Sequence, residues 1–182
     1  MKRLLKRISF EIRLALAGEH DKYKVYSKAY GVRFGDRVRL TGKPDFGSEP
    51  YLISIGNDVT IASGVTFHTH DGGVGVLRSK YPGINVFKTI TIGNNVFIGS
   101  NSTFLPGVEV GNNVIIGASS VVTRNVPDNV VVAGVPAKIM RTIQEYEEKV
   151  LSEAVYILET GPGERADKIK AALDKKAEKG QP

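Results

Sequence analysis

The sequence predicts a mainly β chain wound as a parallel β-helix, a triangular prism of hexapeptide repeats with α-helices flanking it at both ends. Three observations carry this. Bulky apolar residues recur at every sixth position, as Ile55, Ile61 and Phe67, and again as Ile92, Ile98, Phe104, Val110, Ile116 and Val122. The residue that follows is usually small (Gly56, Ala62, Gly93, Gly99, Gly111, Gly117), and Asn comes next at Asn57, Asn94-Asn95 and Asn112-Asn113. One long interruption, beginning at His68-Thr69-His70-Asp71, separates the two runs.

A period of six has a direct physical reading. Each hexapeptide supplies a short strand and a turn, and its bulky residue points into the prism, stacking on its equivalent one coil along. Small residues and Asn suit corners that need tight or positive-φ backbone. A β-sandwich would instead show a period of two with turn signals every 8–12 residues, which the unbroken sixfold pattern from Ile92 to Pro127 excludes. Three hexapeptides close one coil of 18 residues, and a weaker copy upstream (Phe34-Gly35, Leu40, Phe46) starts the count. The first coil, Phe34–Ser54, is then three residues too long, and the second, Ile55–Thr91, carries nineteen extra. Ile92–Glu109 and Val110–Pro127 count as complete, and Asp128–Pro136 closes the prism. A long loop in so regular a fold is more often functional than not.

The flanks are helical. Residues 3–17 place Leu4, Leu5, Ile8, Ile12, Ala15 and Leu16 on a broad apolar face, with Lys2, Arg3, Lys6, Arg7 and Arg13 around it. Such a face usually packs on the body of a protein or on a neighbouring subunit. Peripheral contact with an acidic membrane is the alternative. Residues 141–160 read as a second helix, with Ile143, Tyr146, Val150, Ala154 and Ile157 at helical steps before Gly161-Pro162-Gly163. Residues 164–182 read as a solvated helix or a frayed tail. The chain therefore divides into 1–31 (basic helix and connector), 32–140 (β-helix, with the loop at 71–89) and 141–182.

Composition narrows the chemistry. With no cysteine, disulfides, thiolate metal sites and cysteine nucleophiles are excluded. The formal charge of +6 favours anionic partners, but much of the excess lies in the first thirteen residues. Glu11 and Arg13 break the apolar stretch that a signal peptide would need, so a cytoplasmic location is expected, with contact at the inner membrane face as one option.

Two of the three histidines stand at the mouth of the loop, in Phe67-His68-Thr69-His70-Asp71-Gly72-Gly73. That string, the coils and the closing segment from Ile116-Gly-Ala-Ser-Ser to Ala133-Gly-Val-Pro-Ala-Lys138 resemble the hexapeptide acyltransferases over residues 32–141. The relatives of that kind include sugar, nodulation, xenobiotic and capsule-modifying O-acetyltransferases. The resemblance implies a left-handed helix, acetyl-CoA as co-substrate, no metal, and a homotrimer with the cofactor between adjacent coil faces. It further implies direct acetyl transfer, with a histidine as general base on a hydroxyl or amine. An alcohol is too weakly acidic to attack a thioester unaided, and imidazole titrates in the useful range.

Both His70 and His68 match a histidine spacing found in the family, with His70 the closer match to the polysaccharide-type members. Asp71 is the adjacent carboxylate that could orient the imidazole or bind the acceptor. By motif, the cofactor would meet Phe97, Gly99, Ser100, Gly117 and Ala118 along the pantetheine, and Thr123, Arg124, Lys138 and Arg141 near the nucleotide and its phosphates. Arg78, Tyr81 and Asn85 on the loop would shape the acceptor pocket. The expected reaction is O-acetylation of a sugar or polysaccharide precursor. Xenobiotic acetylation and a non-catalytic scaffold are the alternatives, and no nucleic-acid partner is expected. A zinc hydratase of similar fold would need three histidines spread over the coils, and His20 lies outside the repeat. A serine acetyltransferase is less expected, since residues 1–31 do not read as the long helical N-terminal domain of that group.

Overall fold

The structure, a computed structural model, describes residues 2–157 and 161–178. One compact unit ends at Ile143 and a second begins at Gln144. The first is a left-handed parallel β-helix of triangular section. Its first face stacks β1 (Arg33–Phe34), β3 (Ile53–Ile55), β6 (Ile90–Ile92) and β9 (Glu109–Val110). The second face holds β2 (Arg39–Leu40), β4 (Thr60–Ile61), β7 (Val96–Ile98), β10 (Val114–Ile116), β12 (Val130–Ala133) and β13 (Lys138–Thr142). On the third lie β5 (Thr66–Phe67), β8 (Thr103–Phe104) and β11 (Val121–Val122). All pairings are parallel except β12 with β13.

The sixfold residues fill the prism. Ile61, Phe67, Ile98, Phe104 and Ile116 are fully buried, and Phe67 stacks flat on Phe104 with ring centroids 4.9 Å apart. Phe46 continues the column at 5.3 Å from Phe67, and Tyr26 closes it at 5.0 Å from Phe46. Tyr26 belongs to α2 (Lys22–Tyr30), which with α1 (Lys2–Leu16) covers the starting end of the prism.

The corners differ in kind. At the first corner, between the first and second faces, one turn geometry recurs from coil to coil, with positive φ at Arg37, Asp58, Asn95, Asn113 and Asn129. The backbone N–H of Asn57 donates to Asn94 Oδ1 at 2.8 Å, that of Asn94 to Asn112 Oδ1 at 2.9 Å, and that of Asn112 to Asp128 Oδ1 at 2.7 Å. Beside this ladder a second one runs from Asn95 through Asn113 to Asn129, at positive φ of 53°, 54° and 62°. Glycine precedes the ladder because the coils nearly touch there: a Cβ on Gly93 would stand 2.5 Å from the Gly111 carbonyl oxygen.

The third corner, between the third and first faces, holds every departure from the repeat. The register advances by 21 residues from the first coil to the second (Arg33↔Ser54) and by 37 to the next on the first face (Ser54↔Thr91). Both excesses fall between the third-face segment and the following first-face strand. A correction follows for the coil Val110–Pro127, which is two residues short: Val110 bridges Val126 and Ile115 pairs with Val131, a step of 16. Thr123-Arg124-Asn125 turns this corner in fewer residues, and Asn125 Oδ1 accepts from the Glu109 N–H at 3.0 Å.

Two further expectations are corrected. The helix expected from Arg141 begins at Ile143 as α3 (Ile143–Glu153), because Lys138–Thr142 folds back along β12 as an edge strand with Ala133 opposite Lys138 and Val130 opposite Thr142. Residues 158–160 of that expected helix lie outside the described ones. In the second unit, α4 (Pro162–Glu178) starts with proline in its first turn, and Lys176 Nζ donates to the carbonyl of Glu153 at 2.7 Å, a cation on the open end of α3. The expectation that the broad apolar face of α1 packs on the body of its own chain is also overturned. Leu14 (1% exposed) and Phe10 face the body, whereas Leu4, Leu5, Ile8, Ile12 and Leu16 face outward.

Candidate active site

The loop leaves the third corner after β5 and returns to β6 through a pinned neck. The Asp71 N–H donates to the Val86 carbonyl (3.0 Å), Lys88 N–H to the Thr69 carbonyl (2.8 Å), and His70 pairs antiparallel with Phe87. The neck fixes the backbone on both sides of His70. Alternation along the strand sets the directions: Phe67 and Thr69 are buried, and His68 and His70 are exposed.

His70 is held by a residue that sequence reasoning missed. Its Nδ1 lies 2.9 Å from Glu49 Oε2, with Ser48 Oγ at 3.4 Å. Buried Thr69 donates to the same carboxylate oxygen at 3.0 Å. Burial raises the Glu49 carboxyl, but the hydrogen bonds from His70, Thr69 and Ser48 outweigh it and hold the group below the usual carboxylate range. A carboxylate can only accept, so the hydrogen in the bond resides on Nδ1 and the Nε2 lone pair is left free. Glu49 is delivered by the three-residue excess of the first coil, where Pro50–Leu52 forms a single 3-10 turn. The signal was visible in the coil count: two coils are over-long at the same corner, and the shorter excess carries a carboxylate.

Asp71 does not take the orienting role. Its Oδ1 accepts from the Gly73 N–H at 2.8 Å and caps the 3-10 helix Gly72–Leu77. His68 follows Phe67 at the corner, and its backbone N–H donates to the Phe104 carbonyl; the Leu105 N–H does the same to Val122. His68, Leu105 and Thr123 therefore occupy one row on three successive coils, and Arg124 continues from Thr123. On the loop, Arg78 Nη2 donates to Asn85 Oδ1 at 3.1 Å, and Asn85 Nδ2 to the Gly83 carbonyl at 2.9 Å. Tyr81 stands half exposed nearby, its ring 5.2 Å from Lys80 Nζ.

The residues assigned by motif to the pantetheine arm fall at the second corner, between the second and third faces. Gly99-Ser100 and Gly117-Ala118 occupy it on successive coils, and exposed Phe97 lies just before it on β7. Both glycines have a stacking reason of their own, since a Cβ on Gly99 would stand 2.5 Å from the Ala118 nitrogen and one on Gly117 2.8 Å from Ala133 Cβ. Together they form a row of small residues in which Gly99 is buried, Ser100 and Gly117 are half-buried and Ala118 is exposed. Lys138 enters β13 at this same corner, but Arg141 lies three residues on, toward the first corner, opposite Val131. Arg124 is at the third corner. The basic residues thus share the closing end of the prism without sharing one corner. Among the described residues, no group of three His, Cys, Asp or Glu side chains gathers where it could hold a metal ion, and no helix is long and apolar enough to cross a membrane.

Known proteins resemble this arrangement. The family profile "Bacterial transferase hexapeptide (six repeats)" matches residues 89–124. Protein CapG of Staphylococcus aureus is 60% identical over 128 residues, covering 69% of this chain and 74% of CapG. The galactoside O-acetyltransferase of Escherichia coli K12 is 42% identical over 97 residues, 53% of this chain and 47% of that protein, so the chain spans about half of that relative. A solved galactoside acetyltransferase in complex with coenzyme A superposes with a TM-score of 0.58 at 28% identity, covering 87% of this chain and 88% of that one.

Proposed function

We propose, since this chain belongs to the bacterial transferase hexapeptide family and is an acetyl-CoA-dependent acetyltransferase, that it moves the acetyl group onto a hydroxyl of a sugar or polysaccharide precursor with His70 as general base. The observation that carries the choice of His70 is the 2.9 Å contact between its Nδ1 and Glu49. His68 has no side-chain hydrogen bond among the described residues, whereas His70 has its tautomer and ring direction set from behind.

The steps follow from that pair. Nε2 of His70 takes the proton of the acceptor hydroxyl as its oxygen attacks the thioester carbonyl. Glu49 stabilises the imidazolium that forms, and buried Thr69 keeps the carboxylate in place. When the C–S bond breaks, the imidazolium returns the proton to the departing sulfur, so the enzyme ends as it began and no covalent enzyme intermediate is needed. Backbone N–H groups near the site are suited to the charge that develops on the carbonyl oxygen. Acetyl-CoA supplies the activated acetyl group; Gly99, Ser100, Gly117, Ala118 and Phe97 are suited to its pantetheine arm. Thr123, Arg124, Lys138 and Arg141 are suited to its nucleotide and phosphates. Arg78, Tyr81 and Asn85 would meet the acceptor.

A homotrimer accounts for the separation of the two groups. The histidines and the small-residue row lie at opposite edges of the third face, so one copy does not close both around a single thioester. A neighbouring copy, bringing its own second corner against this third corner, would complete the site.

The test is His70→Ala. Turnover should fall by roughly 10²–10⁴-fold, the range of a lost general base, while calorimetry still detects acetyl-CoA binding. Full activity in that variant, with loss in His68→Ala, would move the base to His68. A wild-type protein with no affinity for CoA would sink the reading altogether.

A further inference from the structure

Helix α1 has two apolar faces. Phe10 and Leu14 pack inward against α2 and the first coil, Phe10 lying edge-on to Tyr26 at 5.3 Å and to Tyr30 at 4.8 Å. At 100° per residue the stripe Leu4, Ile8, Ile12 and Leu16, with Leu5 beside it, lies on the opposite side. These five are 62%, 47%, 55%, 83% and 60% exposed in that order. A helix that only covered the end of the prism would carry polar residues there, and so regular an exposed stripe marks an interaction surface.

Charge identifies what the surface fits. Residues 1–31 hold eight of the 25 Lys and Arg but only three of the 19 Asp and Glu, so +5 of the net +6 resides in this segment. All three acids are already paired: Glu11 with Lys43 at 2.6 Å, Glu19 with Arg39 at 2.7 Å and Asp21 with Lys24 at 2.7 Å. Arg7, Arg13 and Lys28 have no carboxylate partner among the described residues. Arg13 and Lys28 help line a cleft of about 1500 Å³ beside α1 and α2, as do Phe10 and Val25 and, from the outward stripe, Leu4 and Leu5.

We propose that α1 and α2 dock this end of the molecule on an acidic lipid surface. The Leu4–Leu16 stripe enters the boundary between headgroups and acyl chains, and Arg7, Arg13 and Lys28 meet the headgroup phosphates. A second copy is a poor occupant, because a two-fold contact would set one strongly basic face against another. A nucleic acid would use the cations but leave the aliphatic stripe in water.

The experiment is co-sedimentation of the full chain with two sets of vesicles, phosphatidylcholine alone and phosphatidylcholine with an equal part of phosphatidylglycerol. Binding is expected to the mixed vesicles only, and to weaken as salt rises. Ile8→Asp with Ile12→Asp should lower it by at least about tenfold. Arg13→Ser with Lys28→Ser should lower it by about twenty-five-fold, taking roughly fivefold for each cation near an acidic surface. Both sites are exposed, so melting temperature, acetyl-CoA binding and sedimentation mass should not move. Equal binding to both vesicle types, or undiminished binding by either double variant, overturns the proposal. So does a change of oligomeric mass in the Ile8, Ile12 variant, which would assign the stripe to a second copy.

Discussion

The first and third corners of the same prism are built on opposite principles. At the first corner one turn geometry recurs, most fully at Gly93-Asn94-Asn95 and Gly111-Asn112-Asn113: glycine for close approach, one Asn to bond the next coil, another at positive φ. Its side chains bond to their own equivalents, so it is complete without a ligand. At the third corner no two coils agree in length, and the side chains there bond across coils to unlike partners, His70 and Thr69 to Glu49. Uniform stacking yields stability through nearest neighbours. Unequal stacking brings different functional groups to one edge, which repetition cannot do. The difference teaches that in a solenoid the chemistry is to be sought where the count fails.

Removing Glu49 breaks the comparison where it is sharpest. Glu49→Ala should lower kcat by about a hundredfold, within the usual range for support of a general base, with little change in acetyl-CoA binding. Glu49→Gln should lose less, since an amide oxygen can still accept from Nδ1. Its pH signature has a definite sign. The folded-state carboxyl lies below its ordinary range, so the stability it contributes is present above the unfolded carboxylate pKa of about 4.3 and is lost as pH falls through the lower folded value. The melting-temperature gap between wild type and Glu49→Gln should close as pH falls below about 5. A gap that widened below that pH would contradict the assignment.

Much of this was legible in the sequence, and the failures have physical causes. The inward position in every sixth place fixes the strands because only bulky apolar groups fit the prism, so Ile55 through Val122 could be placed by counting. Even the excesses of three and nineteen residues were countable. What they did with Glu49 was not, because a carboxylate 21 residues upstream of His70 becomes its neighbour only once the coil closes. Asp71 was open to orienting the imidazole or binding the acceptor, yet an Asp before Gly-Gly is well suited to cap the turn it begins. Periodicity placed α1 but not its orientation: a helix with two apolar stripes gives no sign of which is inside. The strand β13 was hidden because Lys138–Thr142 lies at the sheet edge, where one side faces solvent and no alternating pattern is required.

At the first corner the expected losses are in stability and not in rate. Gly93→Ala puts a methyl group against the backbone of the next coil, and overpacking of this kind costs about 1–3 kcal/mol. Asn112→Ala removes the Oδ1 that accepts from the Asn94 N–H and the Nδ2 that donates to Asp128, leaving the backbone bond to Asp128, and should cost about 1 kcal/mol. Both are read by denaturant melts, with kcat of the folded fraction unchanged. A large fall in kcat from either would mean that the first corner is coupled to the site.

The smallest effect makes the cleanest control. Gly75 lies within the third-corner loop, in the 3-10 helix Gly72–Leu77, and a Cβ there would meet no atom within 4 Å. Gly75→Ala should therefore stay within about 0.5 kcal/mol of wild type, although the chemical change is the same as at Gly93. Since the loop is anchored at its neck by Asp71, Thr69 and Lys88, its outer residues are free to vary without loosening His70. The paired melts separate two explanations of the fold's glycines. Equal losses at Gly75 and Gly93 would mean that backbone freedom matters at both corners. Loss at Gly93 alone would mean that coil-to-coil contact requires the glycine at the first corner and that the third-corner loop is released from that demand.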